Sequence, residues 1–355
     1  MGAINHIHMD YAVRVDRGKK RRREGKRNED SVSSLVFDER HRDRQRDTAG
    51  LFVLADGAGG HEAGDVASYV ATTLVPRELS ELLFRLVHHD TAPFDGLDVG
   101  DKALLEQPTE DEIREEIQSA VDASVETLAN LVPGDVSSRE SPSTTLVVGL
   151  YARGYLHLAW VGDSCAYVVN ESEGSIEKLT RDHSPVTDWV DDGEFSEPVG
   201  RVHPKNSMLS RAVSPTAPST PEYRRIPVYG DDIVLFTSDG LIDAYDQDQQ
   251  LYADYRRADD ESDVEDEILD KIVTDGEIRD CVLEARTLEV AAERLVGLAN
   301  ERGGSDNIST IVFQDPTRAK RATAGDPTRS RSYGNLEDAP NQTDTDVDTL
   351  VIDSE

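Results

Sequence analysis

Hydrophobic positions follow two rhythms along the chain. Short apolar runs bounded by Gly, Asp, Asn or Ser read as strands: SVSSLVF (31–37), LFVLAD (51–56), STTLVVGLYA, YLHLAWVG and CAYVVN (143–170), DDIVLFTSDGLID (231–243) and NISTIVF (307–313). Arg153-Gly154 marks a turn between two of them, and Gly162-Asp163-Ser164 interrupts the next pair. A helical rhythm governs 63–87, with Pro76 expected to kink it, 110–132, whose first turn is acidic, and 288–304, which stops at a Gly pair. The stretch 254–287 reads as an acidic insertion or helical excursion. From 315 to 355 apolar content collapses, which predicts a disordered tail. Sequential strands mixed with helices give an α+β class with antiparallel sheets.

Charge changes this picture in one respect. The 355 residues hold 38 Lys and Arg against 71 Asp and Glu, a formal net charge of −33. Such an excess argues against general nucleic-acid or anionic-membrane binding and suits a folded surface in a salt-rich cytosol. Basic charge is concentrated: nine of the fourteen residues Arg14–Arg27 are Lys or Arg. A solvated loop is the plain reading, and an anion-attracting patch the sharper one. Two cysteines, Cys165 and Cys281, make no disulfide framework, and neither has an Arg six residues on, which argues against a cysteine phosphatase. The first twenty residues hold no apolar core of a signal peptide, and no apolar run is long enough for a bilayer span, so a soluble, cytoplasmic protein is expected.

Candidate chemistry lies at strand ends. Asp56 (VLADG), Asp163 (WVGDS), Asp239 (LFTSDG) and Asp306 (GGSDN) each stand beside Gly, Ser or Asn at the edge of an apolar run, and Glu29 and Asp30 precede another. Singly each is a common turn signal. Together, carboxylates gathered at one end of packed strands repel one another and call for a hard divalent cation, and oxygen-only ligands favour Mg²⁺ or Mn²⁺. Gly57, Gly59 and Gly60 after Asp56 indicate a close approach to the backbone. A pair of such ions about 3.5–4 Å apart can activate water for attack on phosphorus.

In order, NEDS (28–31), ADGAGGHEAGDVAS (55–68), TTLVVGL (144–150), VGDSCAY (161–167), LTRDHSPV (179–186), LSRAV (209–213), LFTSDGLID (235–243) and GGSDNIST (303–310) give the chain its family likeness. It resembles the metal-dependent protein phosphatases, the type 2C serine/threonine phosphatases, in their compact bacterial or archaeal form. The resemblance implies one domain over 1–314, built as an α-β-β-α sandwich with two central antiparallel sheets. It implies two Mn²⁺ or Mg²⁺ ions, with Asp56 bridging them, Gly57 offering its carbonyl, Asp239 and Asp306 completing the centre, and Glu29 and Asp30 acting through bound water. Asp163 would help hold a weaker third ion, and 184–206 would form a mobile flap. A phosphate-gripping Arg is expected three residues before Asn28, where Gly25 stands; Arg23 takes that role here, with Arg27 the other candidate. Ser143, Cys165 and Ala58 also depart from the family's usual Gly, Arg and Met.

The implied activity is hydrolysis of phosphoserine and phosphothreonine in proteins, by a monomer opposing a serine/threonine kinase. The alternative is a catalytically silent relative that binds phosphoproteins, motivated by Gly25. A nucleic-acid binder using Arg14–Arg27 ranks last because of the net charge. His61 is a candidate proton donor to the leaving group, although capping the next helix explains it as well. His183 and Trp160 read as structural, and Cys165 as a small buried filler.

Overall fold

The computed structural model describes residues 9–41, 44–58, 63–87, 107–131, 141–216, 220–243, 249–258 and 261–321. Two antiparallel sheets pack face to face. One runs β1 (Asp10–Asp16), β11 (Ile308–Gln314), β10 (Asp232–Thr237), β7 (Cys165–Asn170), β8 (Ser175–Lys178). The other runs β2 (Asp30–His41), β3 (Arg44–Ala58), β5 (Leu146–Ala152), β6 (Tyr155–Val161), β9 (Glu222–Pro227), with β4 (Ser143–Thr144) pairing to β3.

Alternation along β3 shows why the sheets take this place. Leu51, Val53 and Ala55 face helices α2 (Ala63–Val87) and α3 (Glu110–Leu131), while Phe52 and Leu54 face the other sheet. All five are fully buried, so this strand is apolar on both sides. Between the sheets Phe52 stacks on Phe313 at 4.4 Å, and Phe236 meets the same ring edge-on at 5.9 Å. Across the far face, β7, β10 and β11 pack on α8 (Asp275–Leu283) and α9 (Leu288–Glu301) through Tyr167, Leu235, Val312, Ile278 and Leu295. The result is the expected four-layer α-β-β-α sandwich, with each helix layer and the sheet interface contributing its own apolar cluster.

Differences from the sequence reading have local causes. Helix α2 continues through Pro76. The segment read as a mobile flap contains two short helices, α4 (Pro185–Asp191) and α5 (Glu197–Arg201), each with Ser at the N-cap and Pro in its first turn. The acidic excursion folds as α7 (Glu261–Leu269) and α8, the latter opened by a reciprocal Thr274–Glu277 capping box. With α6 (Gln249–Tyr255), α7 encloses a small apolar cluster against α5, built from Val199, Leu251, Tyr255, Ile268 and Ile272. The chain also stays packed past 314. Asp315 is fully buried and accepts 2.7 Å from the Tyr151 hydroxyl, Gly230 N–H donates to the Ala319 carbonyl, and Arg321 N–H donates to Asp231. Residues 322–355, most of the expected tail, lie outside the described residues. Among the described residues no helix is long and apolar enough to cross a membrane.

Candidate active site

Strand register brings the predicted acids to one end of the sandwich. Asp30 opens β2 and lies opposite Asp56 near the end of β3. Thr237 at the end of β10 pairs with Thr310 of β11 and Cys165 of β7, so Asp239, Asp306 and Asp163 leave neighbouring strands at the same edge. β1 ends there too, Asp16 opposite Ile308, and delivers the basic stretch to the same place as helix α1 (Lys19–Arg23). Ser238 crosses between the sheets, its hydroxyl donating 2.8 Å to Asp30 Oδ2.

The close approach predicted after Asp56 is between two backbones. A Cβ on Gly57 would lie 2.2 Å from the Gly64 carbonyl oxygen, and one on Gly64 would lie 2.8 Å from the Gly57 carbonyl oxygen. The strand end and the first turn of α2 therefore touch through two glycines, where any side chain would force them apart. The Asp56 carbonyl accepts from Thr145 N–H and the Thr144 hydroxyl, both at 2.8 Å, which fixes the strand end. Gly59, Gly60 and His61 lie outside the described residues.

Electrostatics mark this edge. Asp56 is held well above the usual carboxylate range by burial and by Asp30, Asp239 and Asp306; Asp239 is raised likewise by burial and then by Asp163, Asp306 and Asp243. Burial pushes Asp30 up to about 6 despite the Ser238 hydrogen bond and the nearby Ser309 hydroxyl. Oδ1 of Asp30 and Oδ1 of Asp239 are buried with no hydrogen-bond partner among the described residues. Buried carboxylate oxygens without a donor suit a hard cation, and so does a set of ligands made only of oxygen. As the side chains stand, no three His, Cys, Asp or Glu close on a single point among the described residues. A guanidinium holds part of that ground.

That guanidinium belongs to Arg21. Its Nη1 donates 2.7 Å to Glu29 Oε2 and 3.1 Å to Asn307 Oδ1, and its Nε lies 2.7 Å from Asp306 Oδ1. Arg23, the sequence candidate for phosphate, is exposed on α1; Arg27 points to Asp65 at 3.6 Å. On a five-residue helix, positions 21 and 23 face different sides, and only Arg21 reaches the acids. Among three successive arginines no local signal separates one from another, so long-range contacts decide. They come from Asn307, whose Nδ2 donates to the Arg17 carbonyl at 3.0 Å and whose Oδ1 accepts from Glu29 N–H at 2.8 Å. Gly18, at φ 77°, completes the seat, since a Cβ there would collide with the Asp306 carbonyl.

Asp163 belongs to an adjoining group. Burial pushes it up to about 7, and Asp182 and Asp243 add to the shift. Asp182 accepts 2.8 Å from Lys178 Nζ, and Asp243 Oδ2 accepts 2.6 Å from Asn206 at the end of the expected flap. Asp182, Asp243 and Lys178 were not picked out from sequence, although Asp182 and Asp243 sit inside the quoted motifs. His183 is structural: its Nδ1 accepts from Gly162 N–H at 3.0 Å, so the proton sits on Nε2, 3.0 Å from Glu222. Trp160 stacks beside it at 6.4 Å and is 3% exposed. Cys165 is buried, and burial holds its thiol well above the ordinary range, as an inert filler requires.

Comparison with known proteins agrees with this geometry. The sequence pattern of the protein phosphatase 2C family matches residues 17–269. The serine/threonine phosphatase stp of Listeria welshimeri is 27% identical over 306 residues, covering 86% of this chain and 96% of that protein. The crystal structure of the Mycobacterium tuberculosis serine/threonine phosphatase PstP/Ppp superposes with a TM-score of 0.57 at 25% identity, covering 88% of this chain and 99% of that one. A PstP catalytic domain in complex with two manganese ions gives a TM-score of 0.55 at 24% identity over 86% and 97% of the two chains. With the family pattern covering more than half of its length, this chain belongs to the protein phosphatase 2C family.

Proposed function

We propose that this protein is a metal-dependent phosphatase that hydrolyses phosphoserine and phosphothreonine in proteins. The observation that carries the reading is the set of carboxylates at one edge of the sandwich, Asp30, Asp56, Asp239 and Asp306, with two buried oxygens that no donor satisfies among the described residues. Asp56, Asp239 and Asp306, with the Gly57 carbonyl, would hold two Mn²⁺ or Mg²⁺ ions; Glu29 and Asp30 would support them through water, and Asp163 would contribute to a weaker third site. When bound, such ions lower the pKa of water and neutralise phosphoryl charge.

The chain's own groups supply positioning. Arg21 is the cation already among the acids and can take two phosphoryl oxygens side by side. Asn307 accepts from its guanidinium and, with Gly18, fixes the turn that leads into its helix, so little ordering remains when substrate arrives. Ser238 keeps Asp30 aimed across the sheet boundary. Arg21 also weighs against a silent relative, since it offers a phosphate-binding Arg in place of the one missing at Gly25. A cytoplasmic monomer opposing a serine/threonine kinase in a salt-rich cell is the setting this reading carries. The test is turnover of an aryl phosphate and a phosphothreonine peptide with Mn²⁺ or Mg²⁺ in suitable salt. Both should proceed and should be abolished by a chelator and by Asp239→Asn; a wild-type protein inert with either metal would refute the activity.

A further inference from the structure

The basic stretch is the one sequence feature that the proposed chemistry uses only in part. Residues 14–27 carry nine basic and two acidic side chains, a net +7, in a protein whose total is −33. The fold does not leave this charge on a loose loop. Asn307 bonds the Arg17 carbonyl on one side and Glu29 N–H on the other, Lys20 N–H donates to the Gly304 carbonyl at 2.9 Å, and Gly18 sits against Asp306. Helix α1 buries none of its residues, and only Arg21 turns inward to the carboxylates. Arg17, Lys19, Arg22, Arg23, Lys26 and Arg27 are exposed around it. Some carry local partners: Arg22 pairs with Asp16, Lys26 with Glu24, and Arg27 lies near Asp65. Those acids offset part of the patch and leave its sign unchanged.

Resting on the phosphatase reading, we infer that this clamped basic collar selects the sequence around the phosphorylated residue, favouring protein segments rich in Asp and Glu. A phosphopeptide whose phosphate reaches Arg21 must lay its neighbouring residues along α1. Positive charge there attracts carboxylates and repels Lys and Arg, while the acidic remainder of the protein discourages acidic chains from binding elsewhere. Discrimination therefore comes from repulsion as well as attraction.

The experiment compares kcat/KM of the full chain on two phosphothreonine peptides of equal length, one flanked by Glu and Asp, the other by Lys and Arg, in the same buffer. An aryl phosphate, which has no flanking residues, is the reference. Wild type should prefer the acidic peptide by about tenfold, and the preference should shrink as salt rises. The triple variant Arg17→Glu, Lys19→Glu, Lys26→Glu should lose or reverse the preference while keeping aryl phosphate turnover; the corresponding Gln triple variant, less exposed to folding faults, should fall between. Equal wild-type rates, a preference for the basic peptide, or a preference unchanged in both variants would overturn the inference. If wild type hydrolyses nothing, the phosphatase reading fails by itself, and fluorescence anisotropy of the two labelled peptides then decides. Tighter binding of the acidic one, equalised by the Glu variant, supports the collar; equal binding, or stronger binding of a single-stranded RNA of the same length, overturns it.

Discussion

Two groups of carboxylates share the same edge of the sandwich, and they are neutralised differently. In the group around Asp163, Asp182 and Asp243, protein side chains supply counter-charge and donors: Lys178 on Asp182 and Asn206 on Asp243, with Arg201 nearby. In the group around Asp30, Asp56, Asp239 and Asp306, one guanidinium sits to the side, on Glu29 and Asp306, and two buried oxygens have no donor among the described residues. The first group is close to self-sufficient. The second lacks such partners among the described residues, and that difference suits it to the two principal ions, while Asp163, still raised to about 7 beside Asp182 and Asp243, suits only a weaker third one.

The largest expected effect sharpens this contrast. Asp239→Asn removes an acid from the incomplete group, so phosphatase turnover should fall by about 10³-fold, roughly 4 kcal/mol of barrier, while the metal-free protein becomes more stable because like charge is relieved. Activity and thermal melts measured together check both signs. A variant that lost activity and stability alike would break the comparison. Next, Lys178→Met removes a counter-charge from the self-sufficient group and should cost about 3 kcal/mol in denaturant unfolding, with added metal giving little recovery.

Acidity offers a third measure. Asp30 at about 6, with Asp56 and Asp239 also raised, keeps protons in the folded state that an unfolded chain releases near 4. The stability that Asp30 contributes to the metal-free protein is therefore present below about pH 4 and lost as pH rises through about 6, and Asp56 and Asp239 act in the same direction. Ions bind the deprotonated form, so stabilisation by Mn²⁺ should grow over the same range, reaching about 2.7 kcal/mol at a hundredfold excess over Kd near pH 7.5 and little at pH 5. Calorimetry at the two pH values reads it. His157 works in the opposite sense. Burial and Arg225 lower it to about 4 beside the Tyr223 hydroxyl, so its neutral form favours folding above the unfolded pKa of 6.5 and that contribution is lost as pH falls towards 4. His157→Gln should flatten the acid limb of the stability curve. The smallest effect is chemical: Cys165, with Asp182 beside it and its thiol pushed up, should resist alkylation in the native protein while the half-buried Cys281 reacts first, as mass spectrometry would show.

Much of this arrangement was legible in the sequence because it is written in local signals. Alternation in LFVLAD and its counterparts specifies strands, and acid beside glycine at successive strand ends specifies an edge. What was not legible depends on contacts far apart in the chain. Arg21 is chosen over Arg23 by Asn307, some 286 positions away. Strand β1 is defined by pairing with the last strand, and its own residues alternate weakly. Lys178 is a local exception: it ends a short, mostly half-buried strand and pairs with Asp182 only four residues on, a spacing with no helical pattern around it to mark the pair. The helices of the expected flap could have been found, since Ser-Pro at 184–185 and Ser-Glu-Pro at 196–198 are helix-start signals.

The packed segment beyond β11 has a practical consequence for anyone shortening this protein. A chain cut after residue 314, where apolar patterning ends, would strip the Tyr151 hydroxyl of its carboxylate acceptor inside the sandwich and leave Gly230 and Asp231 without the backbone they engage. Cutting after 321 keeps those three fastenings, so expression yield and melting temperature should drop sharply between the two end points.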